Sequence, residues 1–339
     1  MGPLPKVLAA PGAGCAWCSA VVGYNEGRSC HASTGFPANP MRFFLKALTR
    51  LPLPILYGLG FIAYGIVFHV MRWRRDRAEA DVARAFPEKS AAECAAIVKQ
   101  CYRNLADTIA EAMWGFGASA EAIKARVTFD DGGMIRRAID QKQTILLLSA
   151  HHGNWEWLLL AAGANYPIPI DVVYQPQRFE PLDAFLREAR CRFGGKLIPR
   201  KDFVYELLSH AGEPRAYALI ADQTPRKQDP KYWTRFLRQD TAFFVGADKI
   251  ARFLDSPAYF VSMTRVRRGH YVVKLDVLAE PPYENVDDLV IVERYARCLE
   301  QAIIAHPADW LWLQKKWKYA KPAPGEDTYS GGVPARARL

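Results

Sequence analysis

Two histidines and a nearby acidic residue give the clearest chemical signal in the sequence. His151 and His152 follow a short apolar run, and Glu156 comes five residues after His151 in the segment SAHHGNWEW. A carboxylate on one imidazole nitrogen fixes the tautomer and leaves the other nitrogen basic, so such a pair can remove a proton from a substrate hydroxyl. The spacing indicates a His151–Glu156 general base. The structural alternative is a histidine that caps a turn or hydrogen-bonds in the core.

Metal chemistry is the less favoured interpretation of the same residues. The sequence lacks H-E-x-x-H, and no further ligand cluster accompanies His151, His152 and Glu156. Cys15 and Cys18, followed by an adjacent Cys-His pair, have poor spacing for zinc. The G-x-S-x-G and phosphate-binding-loop signatures are absent as well. We therefore expect no metal ion and no organic cofactor.

Strand and helix signals alternate around the histidines. Thr144–Ser149 predicts a buried strand, and Asn154 can cap a helix that runs to about Asn165. The alternation continues to a strand that ends at Asp222, which is typical of an α/β fold with a mostly parallel central sheet flanked by helices. Open sheets of this kind bind ligands just beyond the strand ends, where His151 would lie.

Periodicity and capping predict the remaining elements. Residues 91–117 predict one long helix, with Ser90 and Glu93 spaced as a capping box at its start. The other predicted elements are helices over 119–125, 132–141, 182–193, 203–211, 246–254 and 287–305, strands over 170–174, 196–198 and 215–221, and a hairpin of 258–267 with 270–277.

An apolar segment near the N-terminus predicts a membrane anchor. Residues 51–71 are nearly uncharged, and about 20 residues at about 1.5 Å each cross about 30 Å of hydrocarbon. Arg72, Trp73 and Arg74 follow at once, and this mixture of cations and an aromatic ring suits a headgroup interface. Two prolines and a histidine interrupt the segment, so a soluble core helix is the alternative.

Composition and charge narrow the class of protein. The chain has 339 residues, of which 50% are hydrophobic and 24% charged, so it can bury a sizeable core. The net charge of +10 suits an anionic partner. Seven irregularly spaced cysteines favour a reducing compartment. We divide the chain into a disordered leader over 1–40, with Met41 as a possible true start, an anchor and basic flank over 41–78, a main domain over 79–321 and a disordered tail over 322–339.

Two basic and aromatic segments lie towards the C-terminus. In isolation, the stretch from Arg226 to Arg238 could suggest nucleic-acid binding. With an apolar anchor in the chain, contact with a phosphorylated glycolipid, an anionic bilayer or an acidic carrier protein fits better, and we expect no nucleic acid partner. Trp310, Trp312 and Trp317 allow the same interpretation, or a C-terminal helix that packs its aromatic rings into the core.

A series of blocks in fixed order resembles the bacterial lipid A biosynthesis (lauroyl/myristoyl) acyltransferase family, which belongs to the H-x4-D/E acyltransferases. The similarity covers roughly 41–320. The blocks are the apolar segment followed by RWRRDR, ARAFPEKS at 83–90, YRNLADTIAE at 102–111, SAHHGNWEW at 149–157, VVYQPQ at 172–177, LREARCRFGGKLIPR at 186–200, ALIADQTPRK at 218–227 and HPADWLWLQKKWK at 306–318.

The resemblance implies the transfer of a fatty acyl chain from acyl-acyl carrier protein to a hydroxyl of a lipid A precursor. The reaction would take place on the cytoplasmic side of the bacterial inner membrane, in an acyltransferase domain over 79–321. His151 would deprotonate the hydroxyl, and Glu156 would orient His151 and offset its charge. Backbone N–H groups of Gly153–Trp155 are candidates for stabilising the oxyanion. An apolar groove beside the pair would take the acyl chain.

Residues for the acceptor are less clearly marked. Arg187 and Arg190 share one face of a predicted helix, so either could hold an acceptor phosphate, with a solvated helix face as the alternative. Asp222 and Gln223 form a family-like DQ block that would shape the acceptor side of the pocket, with simple capping as the alternative.

One departure from the family pattern leaves the acceptor open. Gln175 stands where the family usually has Arg after a Tyr. The same chemistry on another membrane-associated acceptor, such as a glycolipid, an ornithine-type lipid or a polyene, is therefore the alternative. A non-catalytic membrane-bound lipid-binding protein is the alternative from another class, and it predicts that His151→Ala leaves function intact.

Overall fold

The computed structural model describes residues 40–323 of the chain. The predicted leader up to residue 39, with its cysteine residues, and nearly all of the predicted tail lie outside the described residues.

A seven-stranded sheet forms the centre of the protein. The described residues contain nine strands, seven in this sheet and two in a separate hairpin. They are β1 (Val127–Asp130), β2 (Ile145–Ser149), β3 (Ile170–Tyr174), β4 (Gly195–Pro199), β5 (Ala216–Ile220), β6 (Lys231–Phe236), β7 (Gln239–Phe244), β8 (Ala258–Arg267) and β9 (His270–Ala279). The central sheet has the order β1-β9-β8-β2-β5-β3-β4, and β6 pairs with β7 in a separate hairpin. Only β8 and β9 are antiparallel neighbours in the described sheet. The predicted α/β class with a mostly parallel sheet is confirmed.

Helices flank the sheet, and the first five of them precede β1 in the chain. They are α1 (Pro40–Leu48), α2 (Leu53–Gly65), α3 (Arg75–Ala85), α4 (Ala91–Gly115), α5 (Ala120–Lys124), α6 (Met134–Asp140), α7 (Trp155–Asn165), α8 (Glu180–Arg190), α9 (Phe203–Ser209), α10 (Gly246–Leu254) and α11 (Val290–Ala305). A short π-helical stretch, Ile66–Val70, continues α2. Every residue of β2 is buried, because neighbouring strands and helices cover both of its faces.

Local capping chemistry sets the two helices that matter most for the site. The Ser90 hydroxyl accepts a hydrogen bond from the Glu93 N–H and the Glu93 carboxylate accepts from the Ser90 N–H, so the predicted capping box starts α4. The Asn154 side chain accepts from the Trp157 N–H at 3.0 Å and starts α7, as predicted. The predicted hairpin of β8 and β9 is confirmed too.

The apolar segment near the N-terminus forms a helix that packs on α4 with one face. Leu53, Leu56 and Tyr64 are buried on that face, and Gly60 lies directly against the backbone of Ala106. Most of the other apolar side chains of α2 are exposed. The stretch Leu53–Val70 has 18 residues and a mean hydropathy of 1.8, so its length and composition suffice to cross a membrane. The helix is consistent with the predicted anchor.

In the C-terminal part, one hairpin was not predicted and one expectation needs correction. The basic stretch after Arg226 contains the β6–β7 hairpin, which the sequence analysis did not predict. Trp310 and Trp312 are fully buried in the core, so the aromatic packing is confirmed, but the expected C-terminal helix is wrong. In the described range, the chain there forms a single 3₁₀ turn, Pro307–Asp309, followed by irregular structure.

Candidate active site

Two parallel neighbouring strands bring a histidine and an aspartate to the same edge of the sheet. β2 and β5 run in register, with Ser149 opposite Ile220. His151 and Asp222 each lie two residues beyond these paired positions, so both follow the carboxyl ends of their strands. Side chains at this edge of an open α/β sheet are placed to meet a ligand.

His151 and Asp222 are joined by two hydrogen bonds. His151 Nδ1 lies 2.8 Å from Asp222 Oδ1, and the His151 backbone N–H donates to Asp222 Oδ2 at 3.1 Å. Oδ2 also accepts from Trp310 Nε1 at 2.9 Å and from Gln314 Nε2 at 3.0 Å. The Asp222 carboxylate is completely buried, while 15% of the His151 side chain is exposed. Because Asp222 occupies Nδ1, Nε2 is the imidazole nitrogen left for a substrate.

The electrostatics of the pair keep the aspartate ionised. Burial alone would raise the pKa of Asp222, but the charge and hydrogen bond of His151, together with the bonds from Trp310 and Gln314, hold that pKa well below its usual range. For His151, burial opposes protonation. The charge and hydrogen bond of Asp222 and the charge of Glu156 outweigh that effect and raise the pKa of His151 above its ordinary value.

Glu156 is placed differently from the expectation. It was expected to bond to the His151 ring and orient it, but the carboxylate on Nδ1 belongs to Asp222. Glu156 instead accepts two hydrogen bonds from the guanidinium of Arg190, at 2.8 and 2.6 Å. The physical reason is geometric: Asp222 reaches the ring from the adjacent strand, whereas Glu156 lies in the first turn of α7, within reach of Arg190 at the end of α8. The two groups that were expected to act separately, Glu156 and Arg190, form one ion pair.

The turn that carries His151 is tightly held. Gly153 has φ +67, and a Cβ atom there would lie 2.2 Å from the carbonyl oxygen of Met263, so only glycine fits. The Gly153 N–H donates to the carbonyl of Asp309 at 3.0 Å, and the Leu311 N–H donates to the carbonyl of His151 at 3.0 Å. The Gly153 N–H is therefore engaged, which removes it from the oxyanion candidates and leaves those at the start of α7.

His152 lies in the protein core. It is buried, and its Nε2 lies 3.3 Å from the carbonyl oxygen of His306. Burial is the main cause that lowers the pKa of His152, so the ring is neutral at pH 7. The structure thus separates two adjacent histidines, one beside a carboxylate at the sheet edge and one packed into the core.

The other expected acceptor residues lie around this centre. Arg187 is half-buried on α8, one turn before Arg190, and Gln223 is exposed directly after Asp222. Among the contacts of the described residues, neither Arg187 nor Gln223 forms a hydrogen bond with His151 or with Asp222. Arg190 and Asp222 are brought together with His151 and Glu156, whereas Arg187 and Gln223 stand at the rim.

Two further residues of the site were missed. Trp310 and Gln314 both donate to Asp222, although they lie 88 and 92 residues further along the chain. The block HPADWLWLQKKWK was the available signal, but its tryptophans were interpreted as core or surface aromatics without a link to the DQ block. A polar residue and a tryptophan within one such block give no indication of which buried carboxylate they contact.

A small pocket lies beside the catalytic turn, with a cavity volume of about 10 Å³, which is room for about one water molecule. Trp155 lines it and also packs its ring against His151, with the ring centroids 5.1 Å apart. The remaining walls come from α4, from the catalytic turn and from the segment after α11; they are Cys101, Asn104, Leu105, Thr108, Gly153, Ala308, Asp309, Trp310 and Leu311. The cavity therefore combines apolar side chains with a few polar groups next to the imidazole.

Comparison with known proteins gives a consistent result. The family model described as bacterial lipid A biosynthesis acyltransferase matches residues 41–319. The chain is similar to the lipid A biosynthesis palmitoleoyltransferase of Escherichia coli K12, with 21% identity over 274 residues that cover 79% of this chain and 87% of that protein. It is also similar to a lipid A biosynthesis acyltransferase of Haemophilus influenzae, with 22% identity over 298 residues that cover 85% and 88% of the two chains.

The family-model match spans both strands that carry the histidine and the aspartate, as well as the C-terminal block that contacts the aspartate. The family implies an acyl donor and an acceptor of the lipid A type. With the family model covering most of its length, this chain belongs to the bacterial lipid A biosynthesis acyltransferases.

Proposed function

We propose that the protein transfers a fatty acyl chain from acyl-acyl carrier protein to a hydroxyl of a lipid A precursor. The observation that carries this proposal is His151, whose Nδ1 is held by the buried Asp222 carboxylate while its other nitrogen remains for substrate. A neutral imidazole in this tautomer is a general base. The small pocket lined by Trp155 lies next to that base, and we propose that the reacting end of the acyl chain enters from this side.

The proposed reaction has two steps. His151 Nε2 removes the proton of the acceptor hydroxyl, and the oxygen attacks the thioester carbonyl carbon to form a tetrahedral oxyanion. Collapse of this intermediate breaks the carbon–sulfur bond, and the imidazolium returns its proton to the departing thiolate. Asp222 stabilises the imidazolium that forms between the two steps. Backbone N–H groups at the start of α7 support the oxyanion.

Glu156 acts in this scheme through charge and through Arg190. Its negative charge favours the protonated imidazole of the intermediate. Its two hydrogen bonds fix the guanidinium of Arg190 beside the site. We propose that Arg190, with Arg187 one turn earlier, receives a phosphate of the acceptor, because a guanidinium fork matches phosphate oxygens.

The hydrogen-bond partner of Gln175 favours an acceptor that carries negative charge. Its side-chain oxygen accepts a hydrogen bond from the guanidinium of Arg226 at 3.2 Å. A cation from the segment after β5 therefore stands at the end of β3, where the family pattern places an arginine. This observation supports a phosphorylated glycolipid over a neutral acceptor such as a polyene. Asp222 and Gln223 precede Arg226 in the same segment after β5.

We propose a location at the inner membrane with the site on the cytoplasmic side, and the apolar helices support the association with a membrane. Phe43 and Phe44 of α1 are exposed, as are many apolar side chains of α2. α1 is also tied to α8, the helix that carries Arg190, through an ion pair of Lys46 with Glu188 at 2.7 Å. An anchor in this position would keep the site close to a lipid acceptor.

The test is acyl transfer by purified protein in mixed micelles, with acyl-acyl carrier protein and a lipid A precursor. His151→Ala should lower kcat by about 10²–10⁴-fold, because it removes the general base. Glu156→Ala should lower kcat by a smaller factor while the protein still folds, because it removes a supporting charge and releases Arg190. His210→Ala is a matched control, since His210 lies 3.6 Å from the Glu206 carboxylate but precedes β5 at the opposite end of the sheet.

Two outcomes would contradict the proposal. Retained turnover in folded His151→Ala would exclude the assigned base. Turnover with a neutral lipid acceptor, but not with the phosphorylated precursor, would show that the proposed acceptor is wrong and that the proposed acyl-transfer chemistry is right. Mass spectrometry of lipid A from a deletion strain shows whether an acyl chain is lost and which one.

A further inference from the structure

A completely buried carboxylate on α4 connects the apolar helix α2 to the catalytic turn. Glu111 Oε1 accepts a hydrogen bond from the Tyr57 hydroxyl of α2 at 2.8 Å. Its Oε2 accepts from Asn154 Nδ2 at 2.7 Å and from the Tyr271 hydroxyl of β9 at 2.6 Å. The proposed mechanism uses none of these groups. A buried carboxylate is unfavourable unless several donors satisfy it, so its presence here calls for a physical reason.

The surroundings of Glu111 stabilise its negative charge. Its three donors are neutral groups, and an arginine stacks on each of the two tyrosine rings: Arg268 lies 3.8 Å from the ring centre of Tyr57, and Arg265 lies 5.6 Å from that of Tyr271. Burial and the charge of Glu111 together raise the pKa of Tyr271, so the phenol remains a donor. The carboxylate is thus a fixed acceptor at the junction of α2, α4, β9 and the turn.

Asn154 transmits the position of Glu111 to His151. Its Oδ1 caps α7 through the Trp157 N–H, and its Nδ2 is the donor to Glu111. The Glu111 carbonyl also accepts from Trp157 Nε1 at 2.7 Å, so both ends of the cap are attached to α4. Only two residues separate Asn154 from His151, whose own N–H is bound to Asp222. The turn is therefore held at one end by Asp222 and at the other by Glu111.

We propose that Glu111 is a positioning residue that acts through Asn154 to hold the catalytic turn, and with it the His151 ring, against Asp222. Through Tyr57, the same carboxylate ties the seating of α2 on α4 to the geometry of that turn. The part of this inference that concerns turnover rests on the proposed function. The part that concerns the placement of the His151 ring does not.

A double-mutant cycle tests the inference. Glu111→Gln keeps the size of the side chain, but its amide group turns two donors towards groups that already donate. Asn154→Ser keeps a good helix cap and lacks the Nδ2 donor. Each single variant should lower kcat by about tenfold or more, with KM for both substrates changed by less than about threefold. The kcat of the double variant should equal that of the less active single variant, within about twofold, because both changes break the same link.

A titration of His151 reads the same link without turnover. In histidine-labelled protein, the NMR resonance that His151→Ala removes identifies the ring. Its titration midpoint should fall towards about 6.5 in Glu111→Gln and in Asn154→Ser, because a displaced ring loses part of its interaction with Asp222. If Glu111→Gln does not fold, Asn154→Ser still tests the link, because serine caps helices well and this variant should keep α7.

The control is a second buried carboxylate with similar partners. Asp131 accepts from the Ile135 N–H at the start of α6 at 3.1 Å and from the Tyr166 hydroxyl at 3.4 Å, away from the site. Asp131→Asn should lower the melting temperature but leave kcat and the His151 midpoint unchanged. An unchanged midpoint in both Glu111→Gln and Asn154→Ser, or additive losses of kcat in the cycle, would overturn the inference. Absence of acyl transfer in the wild type would instead overturn the proposed function, while the midpoints still decide the role of Glu111.

Discussion

Replacing Asp222 by asparagine tests the site most directly, because it removes one charge and changes almost no volume. Oδ2 of Asp222 accepts three N–H groups, from His151, Trp310 and Gln314, whereas Oδ1 meets only His151 Nδ1. In Asp222→Asn, the amide oxygen will occupy the position with three donors. The amide NH₂ group then faces Nδ1, which must become an acceptor. The imidazole is driven into the tautomer with its proton on Nε2, and Nε2 can no longer act as a base.

The expected loss follows from this change of tautomer. We expect kcat to fall by about 10³–10⁴-fold, which corresponds to about 4–5.5 kcal/mol of transition-state stabilisation. KM for both substrates should change by less than about threefold, because the cavity walls are retained. The charge of Asp222 also raises the pKa of His151, so without it that pKa falls. The acid limb of the kcat/KM profile, which reports loss of the neutral imidazole as pH falls, should therefore move to lower pH.

The assay is the pH dependence of acyl transfer from pH 5 to pH 9, with thermal unfolding measured on the same samples. Gln314→Ala is the matched control: it removes one donor from Oδ2 but keeps the carboxylate on Nδ1, so we expect a loss of less than about fivefold. A loss below about tenfold in folded Asp222→Asn, or an acid limb at the wild-type pH, would refute the assignment of Asp222 as the partner that sets the tautomer of His151.

Three further variants test separate parts of the structure. Lys316 is buried, and desolvation lowers its pKa to about 7 against the opposing effect of the Asp222 charge. The unfolded lysine keeps its proton to about pH 10.4, so the unfolded state binds more protons between these values and stability should rise from pH 7 to pH 10; in Lys316→Met, denaturant unfolding should show this rise removed. Gly153→Ala should lower the free energy of unfolding by about 1–3 kcal/mol, measured by denaturant titration, since the Cβ meets a backbone carbonyl at positive φ. Tyr57→Phe removes one donor to Glu111, so thermal unfolding should show a loss of about 1 kcal/mol and the transfer assay a fall in kcat of about threefold.

Most of the fold could be predicted because its signals are local. The buried run of β2, the cap at Asn154 and the capping box at Ser90 each depend on residues within a few positions of one another. β1 and the β6–β7 hairpin were not predicted. In the hairpin, Lys231–Phe236 mixes basic and aromatic residues, and its turn contains Leu237 and Arg238 at positive φ without a glycine to mark it.

The site could be predicted only in part, because its decisive contacts join distant segments. His151 was identifiable from its place after a strand, and the DQ block marked Asp222 as a residue of the pocket. The bond between them requires the knowledge that β2 and β5 are neighbours in register, which a single sequence does not contain. Glu156 was close in sequence and was therefore taken as the partner, whereas its position on α7 directs it to Arg190.

Three carboxylates around one short turn have different environments, and the environments divide their roles. Asp222 is completely buried with four donors, so it stays ionised and can set the tautomer of His151. Glu156 is partly exposed and paired with Arg190, so it supplies charge and fixes a cation. Glu111 is buried away from the imidazole, and among the hydrogen bonds of the described residues its carboxylate meets the turn through Asn154 alone. Exchanging any one of them for its amide therefore has a distinct expected signature: a tautomer defect for Asp222, an altered cation site for Glu156 and a displaced turn for Glu111.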